Sequence, residues 1–220
     1  MKVYNSILWI LLTLIVGCQA KSPVKNEPLK VYLLLSVDWE GDTLREKNLE
    51  AMREFNKKFP QYPIIHFINP AYYTKKEFNL SEDQITDKIR SVIRPQDELG
   101  LHIHAWENLV KSAKVTYRNK PSFWGGSSKK QGGERGSDIP LTIYNEDEVS
   151  QIIAHSLEIL EQKGFSQIQS FRAGGWMSNL EVQKALIDNG INTDSSPVPP
   201  SLISKLYLGS ELVKTLHKLW

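Results

Sequence analysis

One cysteine, Cys18, stands among 220 residues, so no internal disulfide can close and the fold must be held by packing. Excess charge of either sign is also missing. The formal net charge is +2, with no long basic run and no RNA-binding aromatic motif, so nothing argues for a nucleic-acid partner. The apolar run from Ile7 to Val16 falls short of the roughly 20 residues that a membrane-spanning helix needs. No internal repeat is visible, which excludes solenoid and propeller architectures. With 40% apolar and 24% charged residues, the composition is that of an ordinary globular protein, and the length suits one large domain or two small ones.

The N-terminus has the basic start (Lys2) and short apolar core of a secretory signal. Leu14-Ile15-Val16-Gly17-Cys18 resembles the bacterial lipobox, whose cleavage leaves a lipid-modified cysteine first in the mature chain. An ordinary signal peptide that happens to contain a cysteine is the alternative. Residues 1–17 are therefore expected to be a signal, 18–28 a polar tether with two prolines, and 29–220 the folded domain. The expected location is the cell envelope, with a membrane partner through a lipid on Cys18. Gln19 replaces the aspartate that retains inner-membrane lipoproteins, which points to the outer membrane.

Leu29 to Val37 reads as a strand buried on both faces, of the kind found in parallel sheets. Thr43 with Glu46 predicts a capping box and a helix to about Lys58, ended by Pro60. Pro63 to Ile68 is the next strand, with His66 a satisfied core histidine. Ser81 with Gln84 caps a second helix to about Ile93, and Asp97 to Ile103 is a third strand. Glu107 to Tyr144 is a long glycine-punctuated loop, of a length that is usually functional or mobile. Within it Phe123 and Trp124 either stack on a sugar ring or anchor the loop to the core. Asn145 with Glu148 caps a helix to about Lys163, and His155 on it is a surface or packing residue. Gln167 to Phe171 is the fourth strand. Ser178 with Glu181 caps a last helix to Asn189, and Ile191-Asn192-Thr193 is a short fifth strand. Strand and helix alternate five times, which predicts an α/β fold with a parallel sheet or barrel.

The charged and glycine-rich signals fall at strand C-terminal ends, where such folds place their sites. Glu98-Leu99-Gly100-Leu101-His102-Ile103-His104-Ala105-Trp106 is the richest. Alternation along a strand puts His102 and His104 on one face, roughly 7 Å apart along it, where they can share a cation with a third ligand. The plainer alternative has one histidine in the core and the other in solvent. Ser36-Val37-Asp38-Trp39-Glu40-Gly41-Asp42 and Ser170-Phe171-Arg172-Ala173-Gly174-Gly175-Trp176 end two further strands in the same manner.

In order and spacing these three stretches resemble the motifs of the polysaccharide deacetylases, the NodB-homology group of carbohydrate esterases, over about Leu29 to Pro199. Ser36-Val37-Asp38-Trp39-Glu40-Gly41 stands where the family has Thr-Phe-Asp-Asp-Gly. Glu98-Leu99-Gly100-Leu101-His102 stands for Glu-Ile-Gly-x-His, and Arg172-Ala173-Gly174-Gly175-Trp176 for Arg-Pro-Pro-Tyr. Two positions depart. Trp106 holds the place of the second histidine, leaving His104 as the nearest substitute, and Asp38-x-Glu40 replaces adjacent aspartates. A divergent branch with Asp-x-Glu and His-x-His-x-Trp patterns is closer.

The resemblance implies an irregular or incomplete (β/α) barrel with parallel strands, acting as a monomer on a polysaccharide substrate. It implies a divalent metal, zinc first, held by Glu40, His102 and His104. Asp38 would be the general base, Arg172 its orienting partner, and Trp39, Trp106 and Trp176 would line the mouth and stack on sugar. The family's general acid is a histidine on a late strand; His217, in a tail that looks like an amphipathic helix, is the candidate here. The chain is expected to lack two or three barrel strands. The implied activity is N-deacetylation of an amino-sugar polymer. The rivals are a glycan-binding lipoprotein without catalysis, a glycoside hydrolase using Asp38 with Glu40 or Asp194, and a structural lipoprotein.

Overall fold

The computed structural model describes residues 30–41, 43–75, 79–131 and 133–196. The signal, lipobox and tether expected before residue 29, and His217 with its tail helix, lie outside them. Contacts divide the chain into Met1–Leu33 and Leu34–Trp220, and every element below belongs to the second unit. Among the described residues no helix is long and apolar enough to cross a membrane.

Five strands form one sheet: β1 (Ser36–Asp38), β2 (Ile65–Ile68), β3 (Glu98–Ile103), β4 (Ser170–Ala173) and β5 (Thr193–Asp194). All neighbours are parallel and the spatial order equals the chain order. A doubly wound sheet reverses its order at a switch point and carries helices on both faces. Sequential order with right-handed crossovers puts the helices on one face and leaves the other as an interior. This is the topology of an incomplete parallel (β/α) barrel. The helices are α1 (Glu46–Lys58), α2 (Glu82–Arg90), α3 (Glu107–Ser112), α4 (Glu146–Gln162) and α5 (Leu180–Asp188).

The register sorts side chains onto two faces. Asp38 pairs with Phe67, Phe67 with Gly100, and His102 with Arg172, and partners in register share a face. Val37, His66, Ile68, Leu101, Ile103, Phe171 and Ala173 occupy the other, helix-covered face. Val149, Ile152, Ile153 and Leu160 of α4 recur at helical spacing and are buried in the same core. Each such side chain contributes about 1.5–3 kcal/mol by leaving water.

The two capping boxes with the strongest sequence signal form. Ser81 and Gln84 satisfy each other's backbone N–H, as do Asn145 and Glu148. Others differ from expectation. Thr43 does not cap α1; Arg45 stands at its N-cap with no side-chain hydrogen bond, and Glu46 is drawn instead to Arg53 and Lys88. Asn179, not Ser178, caps α5, because the Ser178 hydroxyl donates to Asp194. The first strand begins at Ser36, not Leu29, and Val31 to Leu34 are exposed. Its partner runs out: Pro63 has no N–H, and the Ile64 N–H donates to Asp97. The fourth strand starts three residues later than expected, after Gln167 takes a positive φ. The long loop begins with α3 and ends in a short 3-10 turn at Leu141–Ile143.

The end of the sheet away from the site is pinned by Asp97, which accepts from the backbone of Ile64 and Arg94 and from the Arg94 guanidinium. His66 faces it at 3.4 Å and accepts from the Trp39 indole on its other nitrogen, so it is a satisfied core histidine. Burial pushes the Asp97 carboxyl up, but the hydrogen bonds from Arg94 and Ile64 outweigh it and hold it below the usual 3.8. Burial also depresses His66 below its usual 6.5, only partly offset by Asp97. The unfolded chain takes up both protons more readily than the folded one. Stability is therefore expected to fall as pH drops below 6.5 and again below 3.8. Asp97→Ala should cost about 3 kcal/mol or more by stranding Arg94, read by denaturant unfolding at neutral pH.

Candidate metal centre

β1 ends in Asp38-Trp39-Glu40-Gly41, and alternation turns Asp38 and Glu40 to the interior while Trp39 turns to the helices. β3 turns His102 and His104 to the same interior. One ligand atom from each of Glu40, His102 and His104 lies within 4.8 Å of the others. Glu40 Oε2 is 2.6 Å from His104 Nε2, and Oε1 is 3.8 Å from His102 Nε2. The two rings meet edge to face, 4.8 Å between centroids.

Both imidazoles are oriented by backbone carbonyls. His102 Nδ1 lies 2.8 Å from the Arg172 carbonyl, and His104 Nδ1 lies 2.5 Å from the Ser137 carbonyl. A carbonyl only accepts, so each Nδ1 carries a proton and each ring turns its Nε2 to the shared point. Those Nε2 atoms are buried and make no well-aligned hydrogen bond, yet the Glu40 carboxylate stands so close to the His104 nitrogen that two lone pairs could not face each other there with nothing between them. Two buried ring nitrogens that face a carboxylate need positive charge between them, which a bound cation would supply. Two nitrogens and one oxygen form a borderline-soft donor set that suits zinc. The imidazoles are almost fully buried, but the Glu40 side chain is 60% exposed, so the point is reached from the Glu40 side. Burial raises the Glu40 carboxyl, but its interactions with His102 and His104 prevail and hold it well below the usual carboxylate range.

Glu40 is anchored through its own backbone. Its carbonyl accepts from the Asn69 amide at 3.1 Å and from the Trp106 indole at 3.4 Å. Gly41 has φ +77° and lies against the Asn69 side chain, where a Cβ would come within 3.0 Å. Gly174 lies against His104: a Cβ there would come within 2.4 Å of Nδ1. Gly174→Ala is therefore expected to displace the ring and cut metal affinity roughly 10- to 100-fold, as loss of an orienting contact does. Calorimetric titration with Zn2+ checks this.

Asp38 lies beside the centre and accepts from Arg172 Nη1 at 2.7 Å. The same guanidinium donates to Ser36 and Ser195 hydroxyls and packs over the Phe67 ring at 4.3 Å. Arg172 crosses the interior because Gly100 leaves room for Phe67; a Cβ on Gly100 would stand 2.4 Å from that ring. A cleft of roughly 270 Å3 opens beside β1, lined by Asp38, Glu40, Thr43, Arg45 and Asn48.

Three expectations need correction. Trp39 is 5% exposed and bonded to His66, so its ring belongs to the core. Trp106 is 1% exposed, with Lys75 over its face, so it holds Glu40 in place of a sugar. Asp194 pairs with Phe171 on the helix-covered face and is taken by Ser178 and the Ser196 N–H, so it cannot partner Asp38 across a glycosidic bond. Trp176 is 39% exposed and Trp124 55%, while Phe123 is buried against Gly175. His155 meets Ser112 on the surface. Asn69, Ser137 and Ser195 escape sequence reading, because nothing local marks a residue whose partner lies on another strand.

Fold and site together define an α/β protein with a candidate metal centre at the C-terminal rim of a parallel sheet. No family model matches the chain, and no curated protein matches it. Among solved structures, a crystal structure from Mycobacterium smegmatis, provisionally described as a polysaccharide deacetylase, aligns with a TM-score of 0.44 at 13% identity. The alignment covers 73% of this chain and 49% of that one, so this chain spans about half its length.

Proposed function

We propose that this protein is a metal-dependent hydrolase that removes N-acetyl groups from an amino-sugar polysaccharide of the cell envelope, held at the membrane by a lipid on Cys18. The observation that carries the reading is the pair of buried Nε2 atoms of His102 and His104, converging with Glu40 next to an Arg172-bound Asp38. Glu40, His102 and His104 would hold the cation. When bound, it would polarise an amide carbonyl and make water a better nucleophile, which an unreactive amide requires.

The chain's own groups supply and hold the base, and the proton that Asp38 takes up is the one the amine nitrogen needs as its C–N bond to the acetyl carbon breaks. Asp38 accepts the proton that the attacking water gives up. Arg172 keeps that carboxylate ionised and aimed by a charge-assisted hydrogen bond, and Ser36 and Ser195 fix the guanidinium in turn. Trp176, which stays partly exposed, offers its ring to the substrate, as does the exposed Trp124 of the long loop. The envelope location rests on the lipobox-like Leu14 to Cys18.

The test is to load the purified full chain with zinc and assay acetate release from chito-oligosaccharides and peptidoglycan fragments. Acetate release that disappears with chelator supports the reading. No acetate from any N-acetyl glycan, together with no bound metal, would overturn it. Shortened glycan chains without acetate would indicate a glycoside hydrolase instead.

A further inference from the structure

The long loop after α3 is more ordered than its glycine content suggests, and its order centres on one carboxylate. Asp138 accepts from the Ser122 hydroxyl at 2.6 Å and from the Ser128 hydroxyl. Ser128 Oγ accepts in turn from the Gly136 N–H at 3.0 Å, and the Asp138 carbonyl accepts from the Phe123 N–H at 2.8 Å. Gly136 then sits flush on the Ala105 carbonyl, where a Cβ would come within 2.1 Å. The Arg135 carbonyl accepts from the Glu107 N–H and Glu134 from the Asn108 N–H, so the loop grips the chain directly after His104. Between these fixed points lies Ser137, whose carbonyl takes the His104 Nδ1 proton.

We propose that Asp138 is a positioning residue for His104: the Ser122–Asp138–Ser128 knot sets the Ser137 carbonyl, and that carbonyl, with the ring packed on Gly174, keeps the His104 Nδ1 protonated and its Nε2 toward Glu40 and His102. Its functional half rests on the hydrolase reading. A hydroxyl–carboxylate knot suits the task because it ties three separate points of the loop, residues 122, 128 and 138, with short charge-assisted bonds. The other bonds around residue 137, from its hydroxyl to Gln131 and from the Ile139 N–H to the Gly136 carbonyl, stay within the loop and do not tie residue 138 to the Ser122 and Ser128 side chains. Without the knot, the imidazole would be free to place its proton on Nε2, beside Glu40, where it blocks a cation. His102 is a built-in control, since its Nδ1 is held by the carbonyl of Arg172, a residue on β4 whose side chain bonds Ser36, Asp38 and Ser195.

The experiment compares the full-length wild type with Asp138→Ala. Histidine tautomers are read by two-bond 1H–15N correlation NMR without metal, and Co2+ affinity by the visible spectrum during titration. The proposal expects His104 to change from the Nδ1–H toward the Nε2–H form while His102 keeps Nδ1–H, and Co2+ affinity to fall roughly 10- to 100-fold. Retention of the Nδ1–H form on His104, with unchanged Co2+ affinity, would overturn it. Should Asp138→Ala not fold, Ser128→Ala decides by the same two readouts. The tautomer needs no metal, so a wild type that takes up no Co2+ counts against the hydrolase reading alone and leaves the positioning claim to be judged by NMR.

Discussion

His102→Ala is expected to leave the protein folded and without bound metal. The imidazole contributes one of the two buried Nε2 atoms at the shared point, held there by the Arg172 carbonyl. Removing a group that merely orients a ligand costs about 10- to 100-fold in metal affinity, so loss of the ligand itself should exceed roughly 100-fold. Elemental analysis should give one zinc per wild-type chain and none in the variant, with unchanged far-ultraviolet circular dichroism. A variant that still takes up one zinc would move the ligand set away from β3.

Asp38→Asn is expected to do the opposite: full metal occupancy with little turnover. Asp38 is not among the three converging donors, and an asparagine oxygen still accepts from Arg172, so the geometry survives. What is lost is a base, a change that typically costs about 10²- to 10⁴-fold in rate. The drop should fall on kcat with KM nearly unchanged, in an acetate-release assay at fixed zinc. Full activity in this variant would reduce the Asp38–Arg172 contact to an ordinary ion pair.

Much of the fold was legible because it depends on period and punctuation. Strand and helix alternation, the Ser81 and Asn145 caps, and the shared face of His102 and His104 follow from local spacing, whereas Glu40 as their partner rests on the motif resemblance, since it comes from another strand. The misreadings have a common origin. A strand's length depends on what its neighbour can still pair, which is why Val31 to Leu34 stays outside the sheet once Pro63 and Ile64 have no N–H to offer. Thr43 fails as a cap because Glu46 meets Lys88, forty-two positions away, and Ser178 because it meets Asp194. Trp39 and Trp106 were read as mouth residues from motif position alone. The pleat sends one toward the helices, and the other lies under Lys75. The carbonyls of Arg172 and Ser137 carry no signature in sequence, since every residue has one.

The two-sided character of β1 has a consequence for how this protein can change over time. Asp38 and Glu40 are separated by Trp39, and the spacing of two sends both acids inward and the indole outward. Deleting or inserting a single codon there would reverse that assignment, turning a charged group into the greasy layer under α1 and an indole into the wet one. Point substitutions can retune this rim, but length changes in the first strand should be lethal to folding and chemistry at once.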